Sequence, residues 1–479
     1  MAANPLPRVD AAAHATLAGR LIGEWYGIGF RDIPAPVVAR TALCVKDTLG
    51  VAIAARTLGV GTAASDVVLE AGGPERATVW GAGRAVSAED AAFANGTLAH
   101  ALDFDDTHAA AIMHSSAVIV PAALALGEAV GAPGDEILAA LVAGYQVAAR
   151  LGRLAPGPFQ DNGFQATSVL GVFAAATVAA RLLRLSPAQA VDALGIAGSM
   201  ASGLMAYLSD GSDVKQMHPG WAAQSGIRAA RMAKAGFHGP AAVFEDRLGV
   251  FRSFARVDIA EAWRTADGAP WEVMLMAPKP YPACLCVHAP VQAMLQLRAQ
   301  KKILPDDLDA IAGIHCDVPE WFVGLVFEPA AAKAAPRTPY EGRFSAPWTM
   351  ARAFLDGGLD VWSFGPDKLA DPRALALCGR TTHRAEALPE FPAAFPARVT
   401  VTMRAGERHV AYIGHNLGTP GNPMTDDDVT AKFMRCATPA LGAARAAELA
   451  GMIDALGAAD GATRLFAGLR AAAVEGQRQ

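Results

Sequence analysis

Apolar residues along most of the chain recur three and four positions apart, the spacing that lines one face of an α-helix. In a stretch that starts at His14, Leu17, Leu21 and Trp25 form one such row; Val38, Ala42, Val45, Leu49 and Ile53 form a second, with Pro34 and Pro36 between them. Two packing helices without chemistry are expected there. Residues 78–82 read as a short extended piece, followed by a helix over about 88–102. Beyond Pro121 the helical pattern continues. Asp135 can cap a helix carrying Leu138, Leu141, Val142 and Tyr145 on one face, and Thr167 or Ser168 can start the next. Ser186-Pro187-Ala188-Gln189 is a capping box with proline at the first helical position.

The pattern changes near Pro270. The prolines of Lys279-Pro280-Tyr281-Pro282-Ala283-Cys284 exclude a helix, and a helix is expected from about His288. Residues 311–318 alternate as a strand, and 399–403 with 409–413 flank Gly406 as a hairpin. Between them, residues 347–355 read as a helix ending at Gly357-Gly358, and Pro372 opens another. Helical periodicity returns at Asp426, with Phe433, Leu441 and Leu449 as core candidates. The pattern therefore predicts a mainly α protein. A large all-helical domain is expected from both chain ends, residues 1–272 and 416–479, with a smaller α+β domain inserted at 273–415. A ligand is expected in the cleft between two such domains.

Composition supports the helical reading. Of 479 residues 52% are hydrophobic and only 7% aromatic, so small side chains let helices pack closely. The net charge of −5, with no segment rich in Lys and Arg, argues against a nucleic-acid partner. The opening MAANPLPRVDAAAH has no basic region followed by an apolar one, and the longest apolar run, 169–180, is too short to span a bilayer. Six scattered cysteines without CxxC pairs fit a reducing, cytoplasmic setting.

Candidate chemistry is concentrated in residues 95–121, NGTLAHALDFDDTHAAAIMHSSAVIVP. Three carboxylates (Asp103, Asp105, Asp106) and three imidazoles (His100, His108, His114) fall there within an Ala-rich chain. Such a group is costly to bury and points to acid/base chemistry beside a carboxylate or to a metal site. A diphosphate-type DDxxD metal motif would need a carboxylate at Ala109, and no second metal motif follows. A second stretch, SDGSDVKQMHPGWAA (209–223), reads as a loop running into a helix whose first turn holds Pro219. Lys215 and His218 would then sit at a helix N-terminus suited to an anion.

The motifs NGTLAHALDFDDTH (95–108), HSSAVIVPAALA (114–125), TSVLG (167–171), VKQMHPGWAA (214–223), KPYPACLCVH (279–288) and GNPMTDDDVTAKF (421–433) resemble those of the MmgE/PrpD family, in the family's order and over nearly the whole chain. That family includes 2-methylcitrate dehydratase, cis-aconitate decarboxylase and iminodisuccinate epimerase. The resemblance implies a helical domain with an inserted lid, a homodimer and catalysis without metal or other cofactor. It also implies catalytic roles for Asp103, Thr107, His114 and Lys215. One extra residue separates Thr107 from His114 compared with the decarboxylase pattern.

Two departures bear on the reaction. Gln165 stands where family members commonly carry His, and an amide cannot shuttle a proton at neutral pH. Cys284 stands where the decarboxylase has a further active-site His. Cis-aconitate decarboxylation is therefore not expected. The resemblance and the residues together lead to a cofactor-independent, dehydratase-type lyase acting on a small di- or tricarboxylate. Lys215 would anchor a carboxylate, Asp103 and His114 would transfer protons, and Thr107 would orient the substrate or Asp103. Gln165, Lys279, Tyr281, Cys284 and His218 would contribute to substrate binding. The alternatives are an epimerase or racemase on the same scaffold and a carboxylate-binding relic without turnover.

Overall fold

The structure is a computed structural model that describes residues 15–265, 271–300, 302–391 and 394–474. His14 and Pro270, where two of the readings above begin, lie outside them. The chain is mainly helical and divides into two compact units. One comprises Met1–Ala101, Asp105–Met276 and Asp426–Gln479, and the other comprises Leu102–Phe104 and Ala277–Thr425.

At the centre of the first unit lies the Ala166–Leu182 helix, every residue of which is buried. Gly134–Leu154, Ser116–Val130, Pro187–Gly198 and Val214–Lys234 pack around it. Small residues make this possible. A Cβ on Gly226 would lie 2.5 Å from the Ala175 side chain, so these two helices touch nearly backbone to backbone. Gly134–Leu154 is long and apolar enough to cross a membrane, but 83% of its apolar window is buried, as in a core helix.

The second closely packed pair carries the candidate chemistry. Gly96 of the Ala88–His100 helix faces Gly220 of the Val214–Lys234 helix, where an added Cβ on Gly220 would lie 2.1 Å from the Phe93 carbonyl oxygen. Asn95 locks the same segment to a hairpin, accepting from Trp80 N at 2.8 Å and donating to Thr78 O at 2.9 Å. The extended piece read at 78–82 is the first strand of this hairpin, Ala77–Val79. It pairs antiparallel with Arg84–Val86 across Gly81 and Gly83, both at positive φ.

Helix starts differ from the sequence reading in three places. Ala166–Leu182 starts before Thr167, with Gln165 at the cap position. Pro133, not Asp135, occupies the cap position of Gly134–Leu154, and Asp135 sits in the first turn, where the helix dipole favours its charge. The Val214–Lys234 helix begins five residues before Pro219. Lys215 therefore lies in its first turn, while His218 and Pro219 lie beyond it. The proline withdraws the N–H that the Lys215 carbonyl would otherwise have accepted.

The second unit is built on a four-stranded sheet ordered Thr381–Ala385, Ile311–Val318, Ala397–Met403, Arg408–Ile413. Its first pair is parallel and the others antiparallel. Gly406, at φ 91°, turns the expected hairpin. The helices His288–Ala299 and Ala346–Asp356 bury Met294, Trp348 and Phe354 in this unit's core, and Gly357 ends the second in the left-handed conformation.

Candidate active site

The acid-rich stretch does not act as one block. Asp103 belongs to the second unit, and His100, Asp105, Asp106, His108 and His114 to the first.

In the first unit a chain of polar contacts runs inward from the end of the Ala88–His100 helix. His100 Nδ1 lies 2.8 Å from Asp105 Oδ2, and both side chains are fully buried. His100 Nε2 meets Gln165 Nε2 at 3.4 Å, and Gln165 Oε1 meets His218 Nδ1. These contacts fix the proton positions. With Asp105 ionised, His100 donates from Nδ1 and accepts the Gln165 amide N–H at Nε2. Gln165 Oε1 then accepts from His218 Nδ1, so His218 carries an unprotonated Nε2. Burial, followed by the electrostatic influence of His100 and Lys215, lowers the His218 pKa from 6.5 to about 4. His218 is thus neutral at pH 7, and Lys215 is near enough to help keep it so.

His114 packs beside this chain, with its ring 4.8 Å from that of His100. Its Nδ1 is 3.1 Å from the Asp106 carbonyl, 3.3 Å from Thr107 Oγ1 and 3.5 Å from Asp105 Oδ2. Its backbone N–H donates to Thr167 Oγ1 at 3.0 Å, which ties it to the central helix. Donation from Nδ1 to the Asp106 carbonyl leaves Nε2 unprotonated here too. The first unit therefore brings together Thr107, His114, Gln165, Lys215 and His218 of the expected residues, and adds His100 and Asp105. His108 turns elsewhere. Its Nε2 meets Glu272 at 3.0 Å and its Nδ1 accepts from Ala111 N at 3.2 Å, while Arg153 closes on the other Glu272 oxygen at 2.9 Å.

His100, Asp105 and His114 offer ligand atoms within 4.8 Å of one another, a donor set that suits a divalent cation. At 2.8 Å, the His100–Asp105 contact is the length of a charge-assisted hydrogen bond.

Beneath the site lies a buried polar cluster that the sequence reading missed. Ser116 Oγ donates to Asp106 and also meets Tyr145 OH at 2.6 Å. Asp47, on the Ala35–Thr57 helix expected to carry no chemistry, forms a buried ion pair with Lys432 at 2.6 Å. Burial, and then the Asp47 carboxylate, raise the Asp106 pKa from 3.8 to about 7. A carboxyl group raised this way contributes stability that is complete below its unfolded pKa and is lost as pH rises through the folded one. Asp106→Asn should accordingly match the wild type near pH 4 and exceed it at pH 8, by at most about 4 kcal/mol. Urea unfolding at the two pH values measures the difference.

In the second unit Lys279 Nζ donates to the Asp103 carbonyl at 2.9 Å and lies 3.2 Å from its Oδ1. Asp103 is held at φ 51°, a left-handed conformation that Asp adopts more readily than most residues. Cys284 is buried, its thiol pKa lowered chiefly by a hydrogen bond from Cys286. Tyr281 packs edge-on against His288 at 5.5 Å, and burial raises its hydroxyl pKa to about 12. Arg343, which the sequence reading did not single out, is also buried here, and the charge of Asp103 acts on it. Among the described residues no disulfide joins any of the six cysteines.

Comparison with known proteins agrees with these motifs. Residues 25–261 match the MmgE/PrpD N-terminal domain and residues 281–457 the MmgE/PrpD C-terminal domain. The cis-aconitate decarboxylase of Homo sapiens is 28% identical over 426 residues, covering 85% of each chain. That of Mus musculus is 27% identical over 435 residues, covering 86% of this chain and 84% of its own. The cis-aconitate decarboxylase-like protein oryM of Aspergillus oryzae is 26% identical over 432 residues, covering 86% of this chain and 89% of its own. The two matched domains together span most of the sequence and contain the motifs above apart from Lys279 and Pro280, which lie between them: the chain belongs to the MmgE/PrpD family.

Proposed function

We propose that the protein is a cofactor-independent lyase that removes a proton next to a carboxylate of a small di- or tricarboxylate and expels a β-hydroxyl as water. The observation that carries this reading is a neutral histidine beside a buried lysine. His218, kept uncharged to about pH 4, adjoins Lys215 in the first turn of its helix. In the proposed step, Nε2 of His114 or His218 accepts the α-proton. The electron pair passes into the carboxylate as an enolate, whose added charge Lys215 stabilises. Return of a proton to the β-hydroxyl lets water leave and forms the alkene. Asp103 was expected to share proton transfer with His114, and its carboxylate lies 3.2 Å from Lys279 Nζ.

Gln165 favours a second reading. The side chain between His100 and His218 is an amide, so no proton passes along that chain of contacts. If the leaving group is never protonated, the α-proton returns to the other face and the product is an epimer. The relatives' decarboxylation offers a third outcome on the same class of acids. A panel of citrate-, malate- and aspartate-derived acids, incubated in deuterium oxide with and without chelator, separates these readings. New alkene absorbance without gas release, insensitive to chelator, is the expected result. Deuterium uptake without alkene would mean epimerisation, and carbon dioxide release would mean decarboxylation. Thermal stabilisation without turnover would mean a relic, and loss of activity on chelation would move the chemistry to a metal at His100, Asp105 and His114.

A further inference from the structure

Arg343 closes the short Pro339–Arg343 helix of the second unit and is only 4% exposed. Its carbonyl accepts from Cys284 N at 3.0 Å, and its guanidinium carbon lies 4.8 Å over the Phe364 ring. These contacts fix where the side chain starts and what it lies against, but none supplies a negative charge. Among the described residues no carboxylate forms an ion pair with Arg343, and its buried Nε has no hydrogen-bond partner. Burial lowers its pKa to about 10, and the charge of Asp103 offsets this only in part.

That carboxylate also faces a second cation. Lys279, also buried, takes both the Asp103 side chain and its carbonyl. Two buried cations share one aspartate, which leaves a positive charge in excess out of water. A guanidinium in this state destabilises the ligand-free fold, so the arrangement makes sense when an anion completes it. Its planar fork matches a carboxylate through two parallel hydrogen bonds, which an ammonium cannot do.

We propose that Arg343 binds a carboxylate group of the substrate. This rests on the polycarboxylate reading above and extends it by naming a residue that would recognise one carboxylate. The test is calorimetric titration with tricarballylate, a tricarboxylate with no hydroxyl to eliminate, on wild type, Arg343→Met and Arg343→Lys. Loss of a buried charged partner should weaken binding about 30-fold or more in Arg343→Met, with Arg343→Lys intermediate. Without ligand, Arg343→Met should melt at or above the wild-type temperature, because an unpartnered buried charge has been removed. Unchanged tricarballylate affinity in Arg343→Met would overturn the proposal and leave the polycarboxylate reading standing. Ligand-free melting of Arg343→Met well below wild type would also overturn it, by assigning the arginine to the fold. If wild type binds neither tricarballylate nor any other acid of the panel, the functional reading fails and this proposal with it.

Discussion

Asp105→Asn is expected to lower turnover by about a thousandfold with little change in KM, because the substitution reverses the proton positions along the buried chain. Asp105 accepts from His100 Nδ1 at 2.8 Å. An asparagine amide would donate there instead, which moves the His100 proton to Nε2. Gln165 Nε2 then faces a donor, the amide rotates, and its nitrogen turns toward His218 Nδ1. His218 must shift its proton to Nε2, and the lone pair through which it would accept the α-proton disappears. Steady-state kinetics on the acid identified by the panel measures the effect. A kcat within a few-fold of wild type would mean that neither histidine depends on this chain. Asp105→Ala, which removes the acceptor without supplying a donor, should be less damaging to the His218 tautomer than Asp105→Asn.

Lys215→Ala should cost about a thousandfold in kcat/KM, the scale of losing a group that stabilises developing negative charge in a closed site. The folded state should survive. Lys215 lies in the first turn of a helix whose packing rests on Gly220, Ala222, Ala223 and Gly226 further along. Far-ultraviolet circular dichroism and the thermal midpoint check the fold, and kcat/KM checks the role. There is a second consequence. The Lys215 charge helps lower the His218 pKa, so removing it should move that pKa back toward 6.5. Any residual activity would then fall at a higher pH on the acid side than in wild type. Wild-type kcat/KM in this variant would refute the assignment of Lys215.

The helical architecture was legible because its signals are local. The Ser186 capping box, the strand at Ile311–Val318 and the helix beginning at His288 were all readable from periodicity and proline placement, and all are present. What escaped were elements whose reasons are non-local. Thr381–Ala385 has no apolar face of its own and becomes a strand by pairing in parallel with Ile311–Val318. The start of the helix carrying Lys215 is not legible because Pro219 signals a first turn, whereas it lies inside the helix.

The site divides along the same line. His114, Lys215, Gln165, His218 and Thr107 could be named because they stand in recognisable motifs, and the structure gathers them in one unit. Asp47 could not be named. It sits among Val45, Leu49 and Ile53 in what reads as a packing helix, and its meaning depends on Lys432, which lies 385 positions later in the chain and contacts it at 2.6 Å. Arg343 gave no sign either, since a lone arginine in a short helix is ordinarily a solvated side chain. What sets it apart is burial without an ion-pair partner, which only coordinates reveal.

The meeting of Gly96 and Gly220 bears on how such an enzyme can change. His100 and His218 hang from two helices whose main chains are already in contact, so neither helix can slide along the other to fit a longer or bulkier acid. Any side chain added at either glycine would push the two imidazoles apart along with the helices that bear them. New specificity is therefore more easily gained by exchanging side chains such as Gln165 at the ends of fixed spokes than by moving the hub.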